Sequence, residues 1–142
     1  MHDNRDGRDL LKVLQREERF LKSGGYDRPP LSRNDGPTLI FQDSPSCANY
    51  GAGSHLIPCQ ECVLTSLVPA RGLKERVPCR HIRLNNAGET VEMLYRWRTL
   101  AEAKKILADW LSQTIVTLAN KKYLGRQGIH KKGTEYRVPD ST

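Results

Sequence analysis

The sequence predicts an α+β fold in which a small antiparallel sheet is stapled by a four-cysteine zinc site and covered by a long C-terminal amphipathic helix. Three observations predict it: short β-branched and aromatic runs bounded by turn residues, cysteines confined to one region, and a helical apolar period near the C-terminus. A chain of 142 residues is about the size of one domain. Aromatic residues make up only 6% of it, so the apolar core is small and a bound metal would support it.

The chain divides into three predicted parts. Residues 1–36 contain a disordered start, a short helix over 9–22 and a linker rich in proline and glycine. Residues 37–120 form the zinc-stabilised core domain, and residues 121–142 form a flexible basic tail. The Asp9 side chain can cap the first helix, and a Ser-Gly-Gly run ends it. Because so short a helix is unstable alone in water, it must dock on the core or on a partner.

Three segments of the core are predicted strands. Residues 38–42 form a β-branched and aromatic run between prolines, and residues 81–84 alternate polar and apolar side chains before an Asn-Asn-Ala-Gly turn. Residues 90–95 can return as a third strand or begin a helix, and we prefer the strand. Together these segments predict the antiparallel sheet.

A long amphipathic helix over 100–122 follows the predicted strands. Thr99 and Glu102 have the spacing of a capping box, in which each side chain satisfies a free amide of the other residue. Apolar residues recur on one face at about 100° per residue, and we expect this stripe to pack on the sheet. They are Leu100, Ala103, Ile106, Leu107, Trp110, Leu111, Ile115 and Leu118.

All four cysteines of the chain fall within one short region, which favours a shared ligand. Two of them form a Cys-x-x-Cys pair, and such a knuckle supplies half of a tetrahedral zinc site. The other two flank the predicted strands, which can bring them to the knuckle. The arrangement is similar to zinc-knuckle domains. The predicted Zn²⁺ ligands are Cys47, Cys59, Cys62 and Cys79.

Two histidines and two other chemistries compete with this prediction. His81 and His55 are alternative metal ligands, because imidazole binds zinc well. The same thiols could hold an iron–sulfur cluster, or Cys59 and Cys62 could form a redox dithiol. The pair also matches the second half of a zinc-deaminase signature. The required upstream ligand with a glutamate two residues later is missing, however, so we predict no enzyme activity.

The basic residues indicate a class of partner. The chain has a formal charge of +7, and residues 90–142 carry 10 basic and 5 acidic side chains. Such a surplus attracts phosphate backbones, so we predict a non-catalytic module that binds RNA or DNA. The competing hypothesis is a protein-interaction adaptor whose N-terminal helix binds a partner. The predicted phosphate contacts are Arg71, Lys74, Arg76, Arg80, Arg83, Lys121, Lys122, Arg126, Lys131 and Lys132.

The expected compartment follows from the absence of targeting signals in the sequence. The first residues are polar and lack the apolar stretch of a secretory signal, and no apolar run approaches the roughly 18 residues of a membrane span. We therefore expect a cytoplasmic protein with no membrane partner. Thiols stay reduced in the cytoplasm, which favours metal or redox chemistry over disulfides.

Overall fold

The computed structural model describes residues 6–29, 37–51 and 57–127, and these residues form a helical protein. Its α-helices are α1 (Leu10–Lys22), α2 (Val91–Trp97) and α3 (Leu100–Gln127). Between α1 and α2 the described chain runs through tight turns and short 3₁₀ helices. Those 3₁₀ helices are Gly25–Asp27, Cys59–Glu61, Val63–Leu67, Ala70–Lys74 and Pro78–His81.

The prediction of a strand over 38–42 is wrong, because these residues lead into a tight turn. The Asp43 N–H donates to the Leu39 carbonyl at 3.0 Å, and the Asp43 carboxylate accepts the Leu39 N–H at 2.6 Å. Phe41 has a φ of 64°, a left-handed conformation that a strand does not contain. Local hydrogen bonds from the aspartate therefore decide the backbone here, although the apolar side chains are buried as a strand's would be.

The predicted strands over 81–84 and 90–95 are wrong as well, so the α+β sheet is replaced by helices and turns. Arg83 and Thr90 form one isolated antiparallel bridge, and residues 6–29, 37–51 and 57–127 contain no longer strand pairing. The Thr90 hydroxyl accepts an amide N–H from the first turn of α2 and caps that helix. The helix buries Val91 and Leu94 and leaves Met93 exposed, because a helical period places different side chains in the core than a strand would.

The two amphipathic helices are confirmed, and the predicted caps hold them. The Asp9 carboxylate accepts the Lys12 N–H at 3.1 Å at the start of α1. At the start of α3, the Glu102 N–H donates to the Thr99 hydroxyl at 3.1 Å, and the Thr99 N–H donates to the Glu102 carboxylate at 2.9 Å. Because α3 continues to Gln127, it is longer than predicted.

The apolar face of α3 packs against α1 rather than against a sheet. Leu107 and Leu111 of α3 are fully buried in one cluster with Val13 and Leu14 of α1. The first helix thus docks on the rest of the chain, as its short length requires. The turns between α1 and α2 complete this cluster through Phe41, Val63, Leu64, Val68, Ile82 and Leu84.

A four-cysteine cavity as the candidate functional site

All four cysteines line one cavity of about 300 Å³, and each has a free thiol. Each lies in a tight turn of the segment between α1 and α2. Cys59 begins a 3₁₀ helix and Cys62 follows it, whereas Cys79 belongs to the 3₁₀ helix Pro78–His81 and Cys47 to the turns after residue 43. The structure therefore brings together residues that are far apart in the chain.

The Cys-x-x-Cys pair is held by consecutive turns. The Cys62 N–H donates to the Cys59 carbonyl at 3.1 Å, which closes the turn between the two thiols. The Thr65 hydroxyl then donates to the Cys62 carbonyl at 2.7 Å and starts the next turn. Both thiols therefore project from a short, hydrogen-bonded piece of backbone, as in a metal-binding knuckle.

Backbone amides point at two of the sulfur atoms. The Asn49 N–H donates to Cys47 Sγ at 3.4 Å. The N–H groups of Leu64 and Ala48 hydrogen-bond the sulfur of Cys62 and oppose the rise in its pKa that burial causes. In both cases one donor lies two residues after the cysteine. Hydrogen bonds of this kind stabilise the negative charge of a thiolate.

Burial and mutual repulsion work against ionising the four thiols together. Burial raises the pKa of Cys79 far above its ordinary value, and the neighbouring Cys62, Cys47 and Cys59 raise it further. Burial is also the main reason why the pKa values of the other three thiols are raised. A cluster of thiolates in this cavity would consequently need a cation to neutralise it.

The four thiols line one cavity, but their side chains are not arranged as the ligands of a metal ion. In the described ranges 6–29, 37–51 and 57–127, no group of three or more Cys, His, Asp or Glu side chains has an arrangement that could hold a metal ion. The residue types fit a soft metal such as zinc, since four thiolates form the common closed structural site. Their side chains would have to converge further to bind it.

His81 does not line the thiol cavity. His81 lines a different cavity, where its Nε2 lies 4.0 Å from a carboxylate oxygen of Glu75. His81 also packs closely on Gly72. A Cβ atom added at Gly72 would lie only 2.7 Å from the Cβ atom of His81. His55 lies outside the described residues.

Some of the predicted phosphate contacts already bind other side chains of the protein, and others are exposed. Arg80 is engaged: its Nε donates to the Gln42 side chain at 2.7 Å, and its guanidinium lies 5.9 Å from the centre of the Tyr95 ring. Arg83 is half-buried. Three exposed basic side chains lie in or next to the 3₁₀ helix Ala70–Lys74, and we call them the basic turn. They are Arg71, Lys74 and Arg76.

The predicted basic tail begins inside α3. Lys121 and Lys122 are exposed on this helix, and the Lys122 ammonium lies 3.1 Å from the Asp9 carboxylate. The side chain of Arg126 and all of Lys131 and Lys132 lie outside the described residues.

No helix in the part of the chain that the structure describes is long and apolar enough to cross a membrane.

Two polar features near the cysteine-bearing turns were not predicted from the sequence. One is the ion pair of Asp6 and Arg8, which lies in the charged start that we predicted to be disordered from the sequence and which instead has defined partners. The other is the fully buried Glu17, which hydrogen-bonds the turns that lead to Cys47. Its position on the apolar face of α1, four residues after the buried Val13, was a signal that it points into the core.

The fold and the cavity together define a small helical protein whose turns present four thiols to one cavity. No known protein family, curated protein or solved structure matches the chain.

Proposed function

We propose that the chain is a non-catalytic, zinc-stabilised binding module, and that Cys47, Cys59, Cys62 and Cys79 bind one Zn²⁺ ion. The observation that carries this proposal is that all four cysteines line the same cavity. Turns and 3₁₀ helices, rather than a sheet, deliver them there. A structural zinc site commonly organises segments that have little regular structure of their own.

Zinc also accounts for the electrostatics of the cavity. Neutral thiols have no force that draws them together, and thiolates repel one another, whereas a divalent cation converts them to thiolates and attracts all four. A Zn²⁺ ion with four thiolates carries a net charge of −2. The N–H donors at Cys47 and Cys62 would stabilise that charge.

Single substitutions are expected to separate the ligands from the histidine nearby. Cys62→Ser should abolish stoichiometric zinc, because hydroxyl groups are poor zinc ligands and the remaining thiols leave the site open. His81→Ala should keep about one zinc per chain, since His81 lines another cavity. Zinc content of each purified variant, measured by elemental analysis, checks this. Loss of zinc from His81→Ala but not from Cys47→Ser would replace the ligand set with three thiols and one imidazole.

Elemental analysis of the wild-type protein also distinguishes the competing chemistries. We expect about one zinc per chain. Iron together with acid-labile sulfide would assign an iron–sulfur cluster to the same thiols. A metal-free protein in which Cys59 and Cys62 oxidise reversibly to a disulfide would assign a redox pair instead.

Nucleic acid is the proposed partner of the module. The basic turn supports it, because three exposed cations lie within six residues, and the 3₁₀ helix Ala70–Lys74 packs against the 3₁₀ helix that carries Cys79. Lys121 adds another exposed cation on α3. Clustered cations release counterions from a phosphate backbone when they bind it, which is the main source of nonspecific affinity. Arg80 is a weaker candidate, since Gln42 and Tyr95 already hold its guanidinium.

Neutralising the basic turn is expected to weaken nucleic-acid binding. Changing Arg71, Lys74 and Arg76 to Gln should flatten the plot of log affinity against log salt by about 0.7 to 0.9 for each lost phosphate contact. The measurement is binding of the full chain to nonspecific RNA and DNA over a salt series. A control with the same change in charge replaces three exposed cations of α1, namely Lys12, Arg16 and Arg19, with Gln.

Equal effects in the two triple variants would show that only net charge matters and would remove the basic turn as a site. A chain ended at Gln127 tests Lys131 and Lys132 in the same assay while keeping the contact between Lys122 and Asp9. If the wild type does not bind at low salt, where the attraction is strongest, the protein-interaction adaptor replaces the nucleic-acid proposal.

A further inference from the structure

Asp6 and Arg8 form a compact ion pair before the start of α1. The Arg8 side chain donates to the Asp6 carboxylate from Nε at 3.2 Å and from Nη2 at 2.8 Å, and the Arg8 backbone N–H donates to it at 2.9 Å. The Asp6 side chain is fully buried, whereas about a quarter of the Arg8 side chain is exposed. Such a pair is geometrically well defined, unlike an ordinary surface ion pair.

This ion pair contacts two of the turns whose cysteines line the thiol cavity. The Asp6 carboxylate accepts the Val63 N–H at 2.8 Å, directly after Cys62. The Arg8 guanidinium donates to the Pro45 carbonyl at 3.3 Å, two residues before Cys47, and to the Cys62 sulfur at 3.7 Å. The N-terminal segment therefore ties together the two turns that carry Cys47 and Cys62.

The contacts of Asp6 indicate that its burial serves a specific arrangement. Burial by itself would raise the pKa of Asp6, but hydrogen bonds from the Arg8 side chain and from the Val63 and Arg8 N–H groups lower it below its ordinary value. A buried carboxylate is tolerated only where it is paired in this way. Two of these sets of donors belong to Arg8, so the carboxylate holds Arg8 in place, and Arg8 in turn presents a positive charge to the sulfur of Cys62.

We propose that Asp6 and Arg8 form a clasp that closes the thiol site, in which Arg8 stabilises the Cys62 thiolate and slows release of the metal. The inference rests on the proposed zinc site. The guanidinium offsets part of the net charge of −2 on a zinc ion with four thiolates, and the two backbone contacts hold the ligand turns together. Arg8 is a positioning residue, because it acts through Cys62 and does not touch the metal.

The test compares the full-length wild type with Arg8→Ala, Arg8→Lys and the control Lys12→Ala, which removes an exposed cation from α1. Each protein is loaded with Zn²⁺, and transfer of the ion to a competing chelator is followed. Arg8→Ala should release zinc faster than the wild type and bind it about 10 to 100 times more weakly, which is the usual loss of affinity when a group that hydrogen-bonds a metal ligand is removed. Arg8→Lys should recover part of that loss, and Lys12→Ala should match the wild type.

Replacing Zn²⁺ with Co²⁺ gives an absorption band that reports the charge on the Cys62 sulfur. A purely structural role of Arg8 would leave the energy of this band unchanged. Removing the cation next to Cys62 leaves more electron density on its sulfur, so the thiolate-to-cobalt absorption band of Arg8→Ala should shift to lower energy. Arg8→Lys should restore part of the shift.

Each outcome of these measurements supports or overturns a defined part of the proposal. A wild type with one zinc per chain, whose release rate and Co²⁺ spectrum are unchanged in Arg8→Ala, would overturn the clasp and leave the zinc site standing. A wild type that binds neither Zn²⁺ nor Co²⁺ would overturn both. If Arg8→Ala does not fold, Arg8→Lys decides, because a spectrum and a release rate identical to those of the wild type would refute a role for the specific guanidinium contacts.

Discussion

Removing the metal is expected to abolish cooperative folding of this chain. The segment from residue 57 to α2 consists of turns and 3₁₀ helices, which have few hydrogen bonds to hold them in place. It nevertheless supplies Val63, Leu64, Val68 and Ile82 to the apolar cluster. If zinc joins Cys59, Cys62 and Cys79 to Cys47, losing it frees both this segment and the turns before it, because metal binding and folding are coupled in such sites.

Thermal unfolding followed by circular dichroism, with and without a chelator, measures this effect. The zinc-loaded protein should unfold in one sharp transition, and the stripped protein should unfold gradually or be largely unfolded at the start. Adding Zn²⁺ back should restore the transition, whereas Mg²⁺ should not, because magnesium prefers oxygen ligands. If the stripped protein unfolds in the same sharp thermal transition as the zinc-loaded protein, zinc does not stabilise the fold.

The second large effect is expected from Glu17, whose carboxylate is fully buried where α1 meets the turns before Cys47. It accepts hydrogen bonds from the hydroxyls of Tyr26, Ser44 and Ser46, with the Ser44 bond at 2.6 Å. The Tyr26 hydroxyl in turn accepts the Phe41 N–H at 3.1 Å. One side chain of α1 therefore organises the turn that leads to a proposed metal ligand.

Glu17→Ala is expected to lower the free energy of unfolding by about 2 to 4 kcal/mol, because three buried hydroxyls lose their acceptor and a cavity forms. Glu17→Gln fills the same volume and keeps one acceptor oxygen, so we expect a loss of about 1 kcal/mol. Chemical denaturation of zinc-loaded proteins measures both. Glu18→Ala, which removes a neighbouring acid that faces Lys22 across 3.8 Å at the surface, should change stability by less than about 1 kcal/mol.

If Glu17→Ala and Glu18→Ala lose equal stability, the buried network does not hold the turn, and the interpretation of Glu17 is wrong. A zinc-loaded Glu17→Ala protein that keeps its stability but binds zinc more weakly would instead give the network a role in positioning Cys47 alone.

The same residue is expected to give stability a specific dependence on pH. Burial raises the pKa of Glu17 above its ordinary value near 4.5, although the hydroxyls of Ser44, Ser46 and Tyr26 act in the opposite direction. The folded state therefore holds this proton more tightly than the unfolded state. Its contribution to stability is complete below the unfolded pKa and is lost as pH rises through the folded pKa.

Glu17→Gln cannot titrate, so the stability of the wild type relative to this variant should fall as pH increases above about 4.5. Comparing the two proteins at each pH cancels the effect of pH on the thiols, which both contain. A difference that stays constant between pH 4 and pH 8 would contradict the raised pKa.

The sequence determined the features that depend on residues close together in the chain. Asp9 caps α1, and Thr99 with Glu102 caps α3, because each cap needs only side chains and amides three residues apart. The apolar period of α3 likewise identified the side of the helix that enters the core, since Leu107 and Leu111 are fully buried. The clustering of the cysteines made them the candidate site, and the structure places them at one cavity.

Only the tertiary structure decided which surfaces meet. Apolar runs that fit a strand became a turn at Phe41 and helix α2, because burial can be satisfied by more than one backbone and neighbouring hydrogen bonds select among them. Arg8 reaches Cys62 across 54 positions, and Glu17 reaches Ser46 across 29. No local pattern encodes such contacts. They form because packing α1 on α3 and on the turns removes these charges from water and leaves each side chain with the partners that the fold provides.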